Sequence, residues 1–143
     1  MDGDRIAVIC ISVGNPHCIV LVDDLATVDF YRLGPKIEIH PAFPNRTNVQ
    51  FAQVIARDEV RILIWERGAG ETMASGSSSS AVAAACRHAG LVDDDVRVVM
   101  AGGALRIRTD AAGDLWMSGP VEEVCAGDLS PEMLRRLGAA PGG

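Results

Sequence analysis

An α+β fold, with a mixed or antiparallel sheet wrapped around a central helix of small residues, is expected from the sequence on three grounds. Segments rich in β-branched residues recur along most of the chain between clusters of Gly, Pro, Asn and Asp, the punctuation of short strands. Residues 77–91 break that texture with Ser-Ser-Ser-Ser-Ala-Val-Ala-Ala-Ala-Cys-Arg-His-Ala-Gly-Leu. This is a helix whose side chains are small on nearly all sides, which suits approach by walls from several directions rather than one solvated face. A chain of 143 residues that is 48% hydrophobic and 22% charged is long enough for one domain with its own core, so residues 1–143 are expected to form a single domain.

The elements follow in order. Residues 5–13 and 18–23 read as two strands joined by the tight turn Gly14-Asn15-Pro16, which sets His17 at a strand start. Residues 29–39 suggest a short helix cut by Pro35 and then irregular chain, ending in a surface loop at Pro41, Pro44 and Asn45. Residues 47–56 and 59–65 alternate, with Val49, Phe51 and Val54 set against Gln50 and Gln53, and Arg57-Asp58 joins them as a hairpin. The small-residue helix has a serine start signal and Gly90 as its C-terminal cap. Short strands are expected at residues 96–100, 104–109, 115–118 and 121–125, followed by a helix over 130–137 with Pro131 in its first turn and a frayed tail at 138–143.

Composition excludes several classes of function. Nineteen acidic residues against thirteen basic ones, with no basic run, argue against a nucleic-acid partner. The apolar runs at 6–11 and 19–22 are far shorter than the roughly 20 residues that cross a bilayer. The polar, acidic residues 1–5 do not resemble a signal peptide, and a cytoplasmic protein with no membrane partner is expected. Cys10, Cys18, Cys86 and Cys125 have neither CxxC nor other zinc-ligand spacing, so no metal site is expected, and all four read as core residues in a reducing compartment. Lys36 is the sole lysine, which argues against a pyridoxal-phosphate aldimine and for chemistry without a cofactor.

Two places hold groups able to do chemistry. The Gly/Ser-rich stretch from Gly68 to Ser80 presents free backbone N–H groups at the start of a buried helix, the pattern of an anion site. It is not a phosphate-binding Walker loop, because Gly70 and Gly76 have the wrong spacing and no lysine follows, and Ser75 is not in a Gly-x-Ser-x-Gly elbow. The second group is Asn15-Pro16-His17, Arg46-Thr47-Asn48 and Glu66-Arg67, each at a strand end or in a loop, where binding residues gather. Asn both donates and accepts, Arg forks onto carboxylate, and a His–Glu pair can move protons.

Together these residues resemble the C-terminal half of diaminopimelate epimerase. The likeness runs from about Ile11 to Gly127 through Gly14-Asn-Pro-His17, Val22-Asp-Asp24, Gly34-Pro35 with Glu38 and His40-Pro41, and Phe43-Pro44. It continues through Arg46-Thr-Asn-Val49, Glu66-Arg-Gly-Ala-Gly-Glu-Thr72, Gly102-Gly103 and Met117-Ser-Gly-Pro120. The resemblance implies one of two pseudo-symmetric domains, each a sheet wrapped around a central helix, with the active site in the cleft between them. It implies a cofactor-independent interconversion of LL- and meso-diaminopimelate, in lysine and peptidoglycan synthesis, by one cysteine from each domain. By the same likeness Asn15, Asn48, Glu66 and Arg67 hold the distal amino-acid centre of the substrate. Gly76 and Ser77 offer the amides for the reacting carboxylate, and His17 and Glu66 tune the catalytic thiols.

Ser75 departs from that pattern, standing where the resemblance implies a catalytic cysteine. A thiol at a helix N-terminus ionises near neutrality and a serine hydroxyl does not. The adjoining Ser77-Ser78-Ser79-Ser80 run also departs from the family pattern, which favours natural divergence over one introduced change. Cys18 is a poor substitute, since on a strand it faces away from His17. The expectation is therefore the substrate-binding half of a diaminopimelate epimerase-like protein, inactive alone and completed by an absent N-terminal domain or a partner chain. The alternatives are an epimerase-fold racemase or lyase acting on another amino acid, and a non-catalytic, homodimeric binding domain. A serine hydrolase built on Ser75 and His17 lacks a third residue and a nucleophile elbow.

Overall fold

The computed structural model describes residues 5–138. The expected polar start at 1–4 and the tail from 139 onward lie outside them. The chain runs β1 (Ile9–Ser12), β2 (Pro16–Leu21), α1 (Phe30–Glu38), β3 (Asn48–Ala56), β4 (Glu59–Glu66) and β5 (Gly70–Glu71). It continues through α2 (Gly76–His88), β6 (Asp95–Met100), β7 (Gly103–Thr109), β8 (Leu115–Ser118) and α3 (Pro131–Arg136). The strands form one mixed sheet in the order β1-β2-β3-β4-β6-β7-β8, with β5 added to β4. β2–β3 and β4–β6 pair in parallel, and the other pairs are antiparallel. This is the α+β architecture expected, and α2 packs against β1, β2, β3, β6, β7 and β8, so the sheet curls around it.

Small side chains allow that wrapping. Ser78, Ser79, Ala81, Val82, Ala83, Ala85 and Cys86 are all buried on α2 and meet Ile19, Ala52, Ile62, Val96, Val98 and Ile107 of the sheet. The helix ends in a Schellman arrangement: Leu91 N–H donates to the Cys86 carbonyl at 3.0 Å and Gly90 N–H to that of Arg87 at 2.9 Å, with Gly90 at φ +73°. The other side of the sheet carries a second core, in which Phe30 and Ile37 of α1 pack on Cys18, Val20, Val49 and Phe51. Central strands are therefore covered on both faces. β3 alternates, but not in the expected grouping: Val49 and Phe51 face α1, whereas Val54 packs on the α2 side, where Gln50 is fully buried.

The structure corrects four further expectations. α1 does not stop at Pro35 but runs through it to Glu38. The proline leaves the Tyr31 carbonyl without its helical donor, yet Tyr31 is 67% exposed, so water can take that place, and the apolar face of the helix remains anchored by Phe30 and Ile37. Residues 121–125 form no strand: although β8 ends the sheet, the segment does not pair with it, and Val121 is 98% exposed, so β-branched content alone gives no ladder. The first strand is confined to Ile9–Ser12, the stretch that registers against β2. Finally, Cys18 and Cys86 are core residues but Cys10 and Cys125 are exposed, the first on the edge strand β1 and the second in irregular chain.

Candidate active site

Strand polarity gathers the expected residues at one end of the sheet. β2 and β3 are parallel, so both begin there, with His17 in register with Asn48. β4 runs the other way and ends there, Val49 lying opposite Trp65, so that Glu66 and Arg67 follow beside Asn48. Asn15 belongs to the β1–β2 turn and reaches the same corner, its Oδ1 lying 3.0 Å from His17 Nε2. Asn48 pins the corner together: its Nδ2 donates to the Pro16 carbonyl at 2.9 Å and its Oδ1 accepts from the Arg67 backbone N–H at 2.9 Å. The Arg67 guanidinium donates to the Asn45 carbonyl at 3.1 Å, which tethers a side chain that is otherwise open to solvent.

Two residues outside the expected site organise it. Glu38 is buried at the end of α1, where its carboxylate accepts from Trp65 Nε1 at 2.8 Å and Gly68 N–H at 3.0 Å and receives the Arg46 guanidinium at 3.4 Å. Burial alone raises its pKa, but the Trp65 and Gly68 hydrogen bonds and the Arg46 charge hold it below the usual carboxylate value. It thus clamps the turn that carries Glu66 and Arg67. Arg46, expected with the binding groups, is spent on this clamp, with its backbone in the left-handed region at φ 59°. Gln50 is the other organiser: its Oε1 lies 3.3 Å from His17 Nδ1 and its Nε2 donates to Ser78 Oγ at 3.0 Å. The signal for it in the sequence is a glutamine inside a strand that is apolar on both sides.

The start of α2 lies at the far end of that link. Ser75 is the N-cap, its Oγ accepting from Ser78 N–H at 3.4 Å and lying 3.4 Å from Ser77 Oγ. Ser75 N–H points at Met100 Sδ, and Ser79 Oγ donates to the Ser75 carbonyl at 2.9 Å, so the cap is held on both sides. The amides of Gly76 and Ser77 stand outside the helical ladder, as the first donors of any helix do. Ser75 and Gly76 border a depression of about 290 Å³ whose other walls include Gly102, Gly103, Leu105 and Pro120. The arrangement offers an anion a pair of free N–H groups beside a hydroxyl, with a neutral imidazole reached through Gln50.

Burial is the main influence on His17, which is 1% exposed, and it lowers the pKa against the raising effects of Gln50 and Glu66, with Arg67 adding to the lowering. The buried thiols are no substitute for a catalytic cysteine. Burial pushes Cys18 up to about 12 and Cys86 up to about 11, which keeps both protonated. Among the described residues no three His, Cys, Asp or Glu side chains gather as metal ligands, and no helix is long and apolar enough to cross a membrane.

Residues 9–124 match the diaminopimelate epimerase family profile. The chain belongs to the diaminopimelate epimerase family. Its relatives include the diaminopimelate epimerases of Acaryochloris marina, 45% identical over 87% of this chain, and of Pelotomaculum thermopropionicum, 47% identical over 82%. That of Carboxydothermus hydrogenoformans is 41% identical over 88%. These alignments take in 44%, 42% and 46% of the relatives respectively, so the chain spans less than half the length of the family members it matches. Among solved structures, a phenazine biosynthesis PhzC/PhzF protein from Clostridium difficile superposes with a TM-score of 0.60 at 16% identity, over 95% of this chain and 51% of that one. A PhzF-family protein from Bacillus anthracis gives 0.55 at 18%, over 78% and 38%. At those identities the likeness is one of fold.

Proposed function

We propose that this chain is the C-terminal, substrate-binding half of a diaminopimelate epimerase-like protein, inactive in isolation. The reaction in question is the cofactor-independent interconversion of LL- and meso-diaminopimelate in the cytoplasm. One observation carries the reading: the corner of Asn15, His17, Asn48, Glu66 and Arg67 and the open start of α2 lie at the two ends of a single buried link through Gln50 and Ser78. In the proposed complex the Gly76 and Ser77 amides hold the α-carboxylate, and Glu66 and Arg67 meet the distal amino-acid head. Epimerisation removes the α-proton on one face and returns a proton on the other. Ser75 supplies an O–H at one of these positions but a poor base, and the opposite group comes from the half that this chain does not contain.

The exposed apolar side chains support a missing companion. Trp116 and Met117 are each 57% exposed, Val121 98% and Val124 92%, a density that a protein leaves bare at contact surfaces. The other half, from the same protein, a partner chain or a second copy, would cover it. Ser75 also favours a second reading, a family member turned to another amino acid. Against that stand Glu66 and Arg67, which a ligand without a second head group would leave unanswered.

Exchange of the α-proton of LL- and meso-diaminopimelate in D₂O, followed by NMR, tests the proposal. The chain alone is expected to be silent. Mixed with the amino-terminal half of a family member it should show exchange with Ser75→Cys and little with Ser75. Inversion by the chain alone at an enzyme-like rate overturns the reading, and silence in every mixture, with turnover in a panel of other amino acids, replaces it with the second.

A further inference from the structure

We propose that Gln50 is a positioning residue that fixes His17 in its Nδ1–H tautomer and leaves Nε2 as a lone pair on the Asn15 side of the site. His17 and Gln50 are both sealed, 1% and 0% exposed, so their polar atoms have only protein partners to satisfy them. Both imidazole nitrogens face an amide oxygen, Gln50 Oε1 at 3.3 Å from Nδ1 and Asn15 Oδ1 at 3.0 Å from Nε2. A neutral ring has one N–H to give and cannot donate to both. One of the two amides must turn.

The less anchored amide is the one taken to turn, since the Ser78 hydroxyl can either accept or donate and does not by itself fix which end of Gln50 meets the ring. Gln50 is held at its far end, where Nε2 donates to Ser78 Oγ at 3.0 Å, and Ser78 is itself fully buried in the first turn of α2. That leaves Oε1 facing Nδ1, an acceptor that calls for a proton on that nitrogen. Asn15 sits in the half-buried turn between β1 and β2, with no hydrogen bond from its Nδ2 to any of the described residues, and is the amide that can rotate and donate to Nε2. Glu66 and Arg67 are the charges that act on the ring, with opposite effects. The consequence is a ring already oriented as an acceptor toward the site, able to take a proton at Nε2 once Asn15 turns aside. The inference rests on the proposed function only for the use made of that lone pair.

The test uses the full 143-residue chain with ¹⁵N-labelled histidine and two-bond ¹H–¹⁵N correlation spectra above the pH at which His17 titrates. The chain has three histidines, and His40 serves as an internal reference of the opposite kind, since its Nδ1 accepts from Ala42 N–H at 3.2 Å. His17, assigned by its loss in His17→Gln, is expected as the Nδ1–H form. Gln50→Leu should raise the Nε2–H fraction roughly fivefold, the equivalent of about 1 kcal/mol for one neutral hydrogen bond. Gln50→Glu, which keeps an acceptor toward Nδ1, should preserve the Nδ1–H form. A His17 found as Nε2–H in the unaltered chain, or a Gln50→Leu variant with unchanged tautomers, overturns the proposal. Should Gln50→Leu not fold, the unaltered chain and Gln50→Glu still decide it. The spectrum is read without substrate, so a failed exchange assay does not touch it.

Discussion

At position 75 a single hydroxyl caps α2 and also stands where the family resemblance implies a reactive thiol, so the two roles need separating. Replacing Ser75 by Ala removes the cap acceptor and should lower stability by about 1 kcal/mol, whereas Ser75→Gly should lower it by only a few tenths, both read from urea midpoints. His17 gives a pH signature. Burial holds its folded pKa below the ordinary 6.5, so the unfolded chain takes up a proton that the folded chain refuses. The stability due to neutral His17 is thus complete above that value and is lost as pH falls from about 6.5 toward the folded value. Between pH 7.5 and 5 the unaltered chain should lose more stability than His17→Gln, and equal slopes would contradict the assignment. Glu38 acts in a lower window, because its folded pKa is depressed below 4.5 and its contribution disappears only as pH falls through the folded value.

α1 shows how much of an element the sequence can reveal. Its start near Phe30 was legible from the sequence, but its length was not, since its persistence through Pro35 depends on how Phe30 and Ile37 are anchored in the core. Gly34 faces the Trp65 ring so closely that an added Cβ would lie 2.9 Å from Cδ2. Gly34→Ala should therefore push α1 off the sheet and cost about 1–3 kcal/mol, with a change in the near-UV signal of Trp65. The hairpin of β3 and β4 was legible because alternation and a two-residue joint are local features. The irregular course of residues 121–125 was not, because a strand must pair with an edge and composition does not report whether it does. Within the site, the residues that present their groups at strand ends were named from the sequence, and the buried ones that hold them, Gln50 and Glu38, became visible only when both sides of β3 proved to be covered.

At the scale of the whole molecule, a mass measurement tests the role of the exposed apolar face near the carboxy-terminal strands. The chain is expected to self-associate at high concentration through the surface around Trp116, Val121 and Val124, and Val121→Asp with Val124→Asp should return it to a monomer in sedimentation velocity. A strict monomer before the substitutions would count against pairing between copies. The mixed sheet has a further consequence, for the order in which the chain assembles. β3 and β4 join through Arg57 and Asp58 and can meet within microseconds, as hairpins do. The parallel partner β2 must return across the whole of α1, and β6 across the whole of α2, so these contacts close long loops and come late. His17 and Ser78 reach Gln50 only after those closures, whereas Gln50 is seated in the hairpin from the start. The binding corner is thus the last part of the molecule to be built and the first to open, and backbone amides of residues 17–21 and 76–88 should exchange with solvent sooner than those of Asn48–Ala56.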